Sequence, residues 1–284
     1  MKRITSILVS AMTACSAAGV LLTASASAAE GNMTLEITAA ERYFTESALK
    51  DAEKVVSGAL KLHNYQEIDG LRAVLFTDDG ISLANEKEPA TPLFGNVSPL
   101  ITSKAESFNK KNSYVLYQTD VDYELGRCTP FKVSNADGSL VDFDIQIPKG
   151  TKAGVYRIGI ENDEADDFDG TYATNDGKRP QLDLTECRIV VEPEALRGDT
   201  NCDGKVSLED VKGALDYHVA TNLTSIQMDD ALSEQTFHTP YIHTAIKAAD
   251  ATQDGTINDR DAMLILKYVS AGLANLPQDW ESLQ

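Results

Sequence analysis

Val141, Phe143, Ile145 and Ile147 alternate with Asp142, Asp144 and Gln146, a period of two that gives a strand one apolar and one wet face. Tyr156, Ile158 and Ile160 repeat the pattern after the turn-forming run Lys149-Gly150-Thr151-Lys152-Ala153-Gly154. Similar stretches predict strands over Met33–Ala39, Lys54–His63, Gly70–Thr77, Tyr114–Asp120 and Asp183–Val191. Strands apolar on one face and joined by turn residues imply a β-sandwich of about 160 residues. Thr45–Lys54 and Pro99–Phe108 are expected to be short helical decorations.

Beyond Glu192-Pro193-Glu194 the period changes. Val211 and Leu215, and again Ala262, Ile265, Leu266 and Val269, recur at helical spacing. Each helical pattern follows a twelve-residue acidic loop, Asp199–Asp210 and Asp250–Asp261. An offset of 51 residues aligns Leu215 with Leu266 and Tyr217 with Tyr268, so the segment is an internal repeat. The first loop places oxygens at positions 1, 3, 5, 9 and 12 through Asp199, Asn201, Asp203, Ser207 and Asp210. The second does so through Asp250, Thr252, Asp254, Asn258 and Asp261. Lys205 and Thr256, at position 7, would offer only their backbone carbonyls. Glycine at position 6 (Gly204, Gly255) and a β-branched residue at 8 complete the spacing of an EF-hand loop, which gathers oxygens around a hard cation. Position 12 is the shorter Asp rather than Glu, so each loop should close tightly on the helix that follows. No room exists for a helix ahead of the first loop, which makes the unit a half EF-hand occurring twice.

Charge narrows the partners. With 25 Lys and Arg against 44 Asp and Glu the net charge is -19, a field that repels phosphate backbones and anionic lipid. Nucleic acid and membrane are therefore excluded as main partners. Lys2-Arg3, an apolar run from Ile7 to Leu22 and the small residues Ala24–Ala29 read as a secretory signal peptide over residues 1–28, cleaved after Ala26-Ser27-Ala28. Secreted, extracellular placement follows. Cys128, Cys187 and Cys202 would remain, too few for a disulfide scaffold, and a Cys128–Cys187 bridge is left open. Cys202 occupies loop position 4, which supplies no ligand. No nucleophile elbow, zinc-protease helix or phosphate loop is present, and His63 lies within a strand pattern. The acidic run Asn162–Gly170 is the remaining candidate cation site.

The two loop–helix repeats, from about Leu196 to Gln284, resemble a dockerin. The resemblance implies two bound Ca2+ ions, folding coupled to calcium, and docking into a cohesin of a larger scaffoldin. Its recognition positions, loop positions 10 and 11, are Leu208 and Glu209 in the first repeat but Asp259 and Arg260 in the second. That difference implies a single docking orientation. Thr252 departs from the usual Asn or Asp at position 3 and should weaken the second site. The insert from about Ala220 to Ala249 is longer than in the simplest members, and Tyr241, Ile242 and Ile246 within it suggest a connecting helix. Trp280 near the end leaves two alternatives, an aromatic that packs back and clasps the termini of this domain or part of a frayed tail.

The earlier segment is similar to a cohesin. Val55–Leu62 leads into the Gly-led strand Ile68–Phe76, and Gly138-Ser139-Leu140 opens a late strand followed by Ala153-Gly154-Val155-Tyr156-Arg157-Ile158. Phe76-Thr77-Asp78 stands where Tyr-Asp is usual. Strands Gly70–Phe76, Tyr114–Gln118 and Leu140–Ile147 are expected to form its docking face. The fold class is therefore a mainly β jelly-roll sandwich, cohesin-like, over residues 30–193, plus a small all-α calcium-binding dockerin of two half EF-hands over 194–284. The resemblance implies a non-catalytic cellulosomal adaptor in polysaccharide degradation, its cohesin receiving dockerin-bearing enzymes. The alternatives are a dockerin-attached carbohydrate-binding module, with Tyr114, Tyr117 and Tyr123 as its aromatics, or a small dockerin-borne glycoside hydrolase.

Overall fold

A computed structural model describes residues 32–64, 68–84, 101–103, 113–119, 121–122, 127–128, 138–162, 170–223 and 227–284. Two compact units emerge, one ending at Val191 and the other running from Glu192 to Gln284. The expected signal peptide and most of the acidic run Asn162–Gly170 lie outside the described residues. No helix among the described residues is long and apolar enough to cross a membrane.

The first unit is built from β1 (Met33–Ala39), β2 (Tyr43–Thr45), β3 (Lys54–His63), β4 (Gly70–Thr77), β5 (Ser82–Ala84), β6 (Ile101–Ser103) and β7 (Ser113–Thr119). It continues through β8 (Val121–Asp122), β9 (Arg127–Cys128), β10 (Gly138–Ile147), β11 (Gly154–Ile160), β12 (Tyr172–Thr174), β13 (Leu182–Thr185) and β14 (Cys187–Glu192). One sheet has the order β13-β1-β3-β10-β5. The other runs β2-β14-β11-β4-β7-β6, with β12 also beside β4, while β8 and β9 pair alone. Inward residues of both sheets, among them Leu35, Leu60, Phe143, Leu75 and Ile158, form one buried core. Burial of each such side chain contributes about 1.5–3 kcal/mol. Packing is tight enough that a Cβ on Gly58 would lie 2.6 Å from the Phe143 ring.

Asp183–Val191, expected as one strand, is broken at Glu186. Its first part lies parallel to β1 in one sheet, and its second part lies antiparallel to β11 in the other. A single crossing thus closes the sandwich at one side. Two helical expectations fail. Thr45–Lys54 forms successive turns, with Leu49 N–H on the Glu46 carbonyl and Lys50 N–H on that of Ser47, because Leu49 must drop into the core. Within Pro99–Phe108, Ile101–Ser103 is a strand on β7; the remainder lies outside the described residues.

The second unit contains α1 (Leu208–His218), which runs into a π-helical turn at Val219–Leu223, then α2 (Asp230–Phe237), α3 (Ile242–Ala249), α4 (Asp259–Leu273) and α5 (Trp280–Leu283). α1 packs on α4 and α2. Its core is mostly small: Ala214, Ala245, Ala249, Ala251 and Ala262 surround Phe237, Leu264 and Ile265. Little apolar area is buried by alanine, so more of this unit's stability must come from hydrogen bonds within its loops. The connecting helix is present as α3 and ends directly at Asp250. The second loop therefore has a helix on both sides, whereas the first has one only after it.

Candidate metal centre and docking face

Both acidic loops adopt one backbone. Positions 4 and 6 are left-handed in each: φ is 58° at Cys202 and 86° at Gly204, then 61° at Gln253 and 85° at Gly255. Two such residues curl the chain so that N–H groups point inward. The position 1 carboxylates collect them. Asp199 accepts from Asp203 N (3.1 Å) and Gly204 N (2.8 Å), and Asp250 accepts from Asp254 N (3.1 Å) and Gly255 N (2.9 Å). Asp203 and Asp254 in turn accept from the position 7 N–H at 2.8 and 2.9 Å. Val206 and Ile257 at position 8 pack into the helical core.

The expected closure by a short position 12 side chain is seen in both loops. Asp210 accepts from Thr200 N (2.7 Å) at the start of its loop and from Ser207 N (2.7 Å) at its end. Asp261 does the same with Thr252 N (2.8 Å) and Asn258 N (2.8 Å). Ser207 and Asn258 are also the N-caps of α1 and α4, each completing a capping box with its Asp. One carboxylate therefore closes a loop and starts a helix. Both are fully buried, at 0% exposure.

The donor set suits a hard cation. Each loop brings carboxylate, amide or hydroxyl oxygens and a position 7 carbonyl, with no sulfur or imidazole among the ligand positions, which fits Ca2+ rather than a softer metal. Burial raises the Asp199 carboxyl above the ordinary range; the Gly204 and Asp203 N–H groups oppose this, and the charges of Asp210 and Asp203 add to it. A divalent cation would relieve that repulsion. Among the described residues no group of three or more His, Cys, Asp or Glu side chains is assembled as a metal site; the oxygens are mixed in type. Burial pushes the Cys202 thiol up to about 12, so this neighbour stays protonated. Cys187 is also a free thiol, and a buried one, which leaves the Cys128–Cys187 bridge unformed.

The two loops begin side by side. Gly198 N–H donates to the Ala248 carbonyl (2.9 Å) and Arg197 Nε to that of Ala251 (2.7 Å). Trp280 seals this junction, as the clasp alternative requires. Its ring stacks on Tyr268 at 3.9 Å, lies 5.0 Å from the Arg197 guanidinium, and covers Gly198, where a Cβ would meet it at 2.6 Å. The insert supplies a counterpart that the sequence did not disclose. Phe237 of α2 stacks at 5.1 Å on Tyr217, the repeat equivalent of Tyr268.

Between α1 and α4 lies a groove of about 550 Å³, lined by Val211, Leu215, Met263 and Leu266 and edged by Asp259, Arg260 and Lys267. Of the four expected recognition residues, Asp259 and Arg260 line it. Leu208 and Glu209 sit outside it on the first turn of α1, with Leu208 58% exposed. Met263 and Lys267 were missed. Their signal was the break in the repeat, where Met263 and Lys267 align with Lys212 and Asp216.

The three strands expected to form one docking face on the sandwich do not share a sheet. β4 and β7 are neighbours, but β10 lies in the opposite sheet between β3 and β5. Alternation sorts inward from outward residues and is silent on sheet membership. The outer face of β3 and β10 bears a hollow of about 420 Å³, with Ser57, Gly58 and Ala59 beside Asp142 and Asp144. His63, on β3, pairs with Glu36 at 2.7 Å. Tyr114 is buried, its phenol oxygen accepting from Leu83 N at 2.9 Å; the side chain of Tyr117, and Tyr123, lie outside the described residues.

No protein-family model matches the chain, and a search of curated proteins finds no match. Among solved structures it is similar to the seventh ScaB type I cohesin from Pseudobacteroides cellulosolvens, at 16% identity over 58% of this chain and 95% of that one, with a TM-score of 0.35. A type II cohesin from the cellulosome of Acetivibrio cellulolyticus is 13% identical over 56% and 95%, with a TM-score of 0.37. A type I cohesin–dockerin complex from Clostridium thermocellum gives 16% over 57% and 95%, with a TM-score of 0.39.

Proposed function

We propose that the protein is a secreted, non-catalytic adaptor of a cellulosome. Its helical unit acts as a dockerin that enters a scaffoldin cohesin, and its sandwich acts as a divergent cohesin that receives an enzyme-borne dockerin. The observation that carries this reading is the twice-built loop, with one backbone, one carboxylate clamp and one helix start, feeding two helices that flank an apolar groove. Ca2+ is the cation that this donor set suits. Asp199, Asn201, Asp203, Ser207 and Asp210 would hold one ion with the Lys205 carbonyl; Asp250, Thr252, Asp254, Asn258 and Asp261 would hold a second with that of Thr256. The ion offsets carboxylate repulsion and makes folding and metal binding one event. Support for the sandwich half comes from its residue order and from the sheet crossing at Glu186. The carbohydrate-module alternative loses one of its three aromatics, since Tyr114 serves the core.

A capture experiment separates these roles. The full chain is immobilised and offered a panel of cohesins, a panel of dockerins and insoluble cellulose, with calcium and after chelation. The adaptor reading expects cohesin and dockerin capture, the former abolished by chelation, and no retention on cellulose. Cellulose retention without either capture would replace it with the carbohydrate-module reading.

A further inference from the structure

The two loops share a backbone but differ in what surrounds it and in what their oxygens already do. At position 1, Asp199 is 3% exposed, whereas Asp250 is only half-buried. Cys202 at position 4 packs against the helical core, while its counterpart Gln253 is exposed. The oxygens differ too. At position 3 of the first loop the Asn201 amide oxygen accepts from Asp203 N (3.0 Å). In the second loop the Thr252 hydroxyl instead donates to Asp261 Oδ1 (2.8 Å). At position 9, Asn258 Nδ2 donates to the Thr256 carbonyl (3.1 Å), the position 7 oxygen that would ligate. Ser207, its counterpart, is too short to carry a second donor and bonds Asp210 Oδ2 (3.1 Å).

A ligand-position hydroxyl donates to the position 12 carboxylate in both loops, but only in the second must a cation also compete for the position 7 carbonyl, beside a position 1 carboxylate more open to water. We propose that the loops hold calcium unequally: the first is the tight, slowly exchanging site, and the second is the labile one that fills and empties as calcium varies. The inference rests on reading both loops as calcium sites. Because Asp259 and Arg260 are positions 10 and 11 of the second loop and edge the groove, docking should track the occupancy of that loop. One hydrogen bond of ordinary net strength translates to a difference of about fivefold in affinity.

Calcium titration of the full chain in competition with a chromophoric chelator measures both constants. Wild type should show two sites separated by about fivefold or more, and chelator-driven release should be biphasic. Thr252→Asn should tighten the weaker constant and leave the other in place, and Asn201→Thr should weaken the tighter one. Thermal melting of each variant confirms that it folds. Two indistinguishable constants, or a Thr252→Asn variant that shifts the tighter site, would overturn the inequality while leaving the metal reading intact. Absence of any calcium binding would remove both.

Discussion

The sandwich and the helical unit are stabilised by different means. Leu35, Leu60, Leu62, Ile68 and Leu75 are at 0–1% exposure in the first, a core of large side chains that expels water without help. The second buries mainly alanines and relies on Asp210 and Asp261, which hold loop ends and helix starts together through backbone N–H groups. A core of the first kind is indifferent to ions. A clamp made of buried carboxylates is not, and under the proposed function this difference would let one half respond to calcium while the other remains a fixed platform.

The strongest way to break the contrast is Asp210→Ala. It strands the N–H groups of Thr200, Asn201 and Ser207 and removes a capping box, for an expected loss of about 3–5 kcal/mol in the helical unit alone. Denaturant melting followed by far-ultraviolet dichroism should show the helical signal lost first, with the strand signal unmoved. Leu60→Ala is the mirror experiment: a fully buried side chain is deleted, about 3 kcal/mol is lost from the sandwich, and calcium does not restore it. Trp280→Ala should cost the helical unit about 2 kcal/mol through the lost stack on Tyr268 and the uncovered Gly198, read as a lower melting temperature. A melting temperature equal to wild type would dismiss the clasp. At the small end, exchanging Leu208-Glu209 for Asp-Arg touches exposed positions and should leave stability within about 0.5 kcal/mol. Cohesin capture should nonetheless fall, because the two repeats would then present the same residues at loop positions 10 and 11.

Much of this contrast was legible in the residues. The repeat offset placed both loops and both helix starts, since ligand spacing and glycine at position 6 leave the backbone one way to turn. Alternation from Val141 to Ile147 likewise identified the inward face of β10. What stayed hidden depends on tertiary partners. Period two cannot say which sheet a strand joins, so β10 was grouped with β4 and β7. No local signal marked Glu186 as the crossing point. Thr45–Lys54 has helix-forming composition, yet burial of Leu49 overrides it. The engagement of the Thr252 hydroxyl with Asp261 could be seen only in three dimensions.

The central claim is tested most directly by calorimetric unfolding of the full chain at rising calcium and again after exhaustive chelation. Two transitions are expected, with only the helical one moving upward by several degrees as calcium rises, since each site filled to about 100 times its Kd adds about 2.7 kcal/mol. A helical transition at the same temperature in calcium and in chelator would contradict the account.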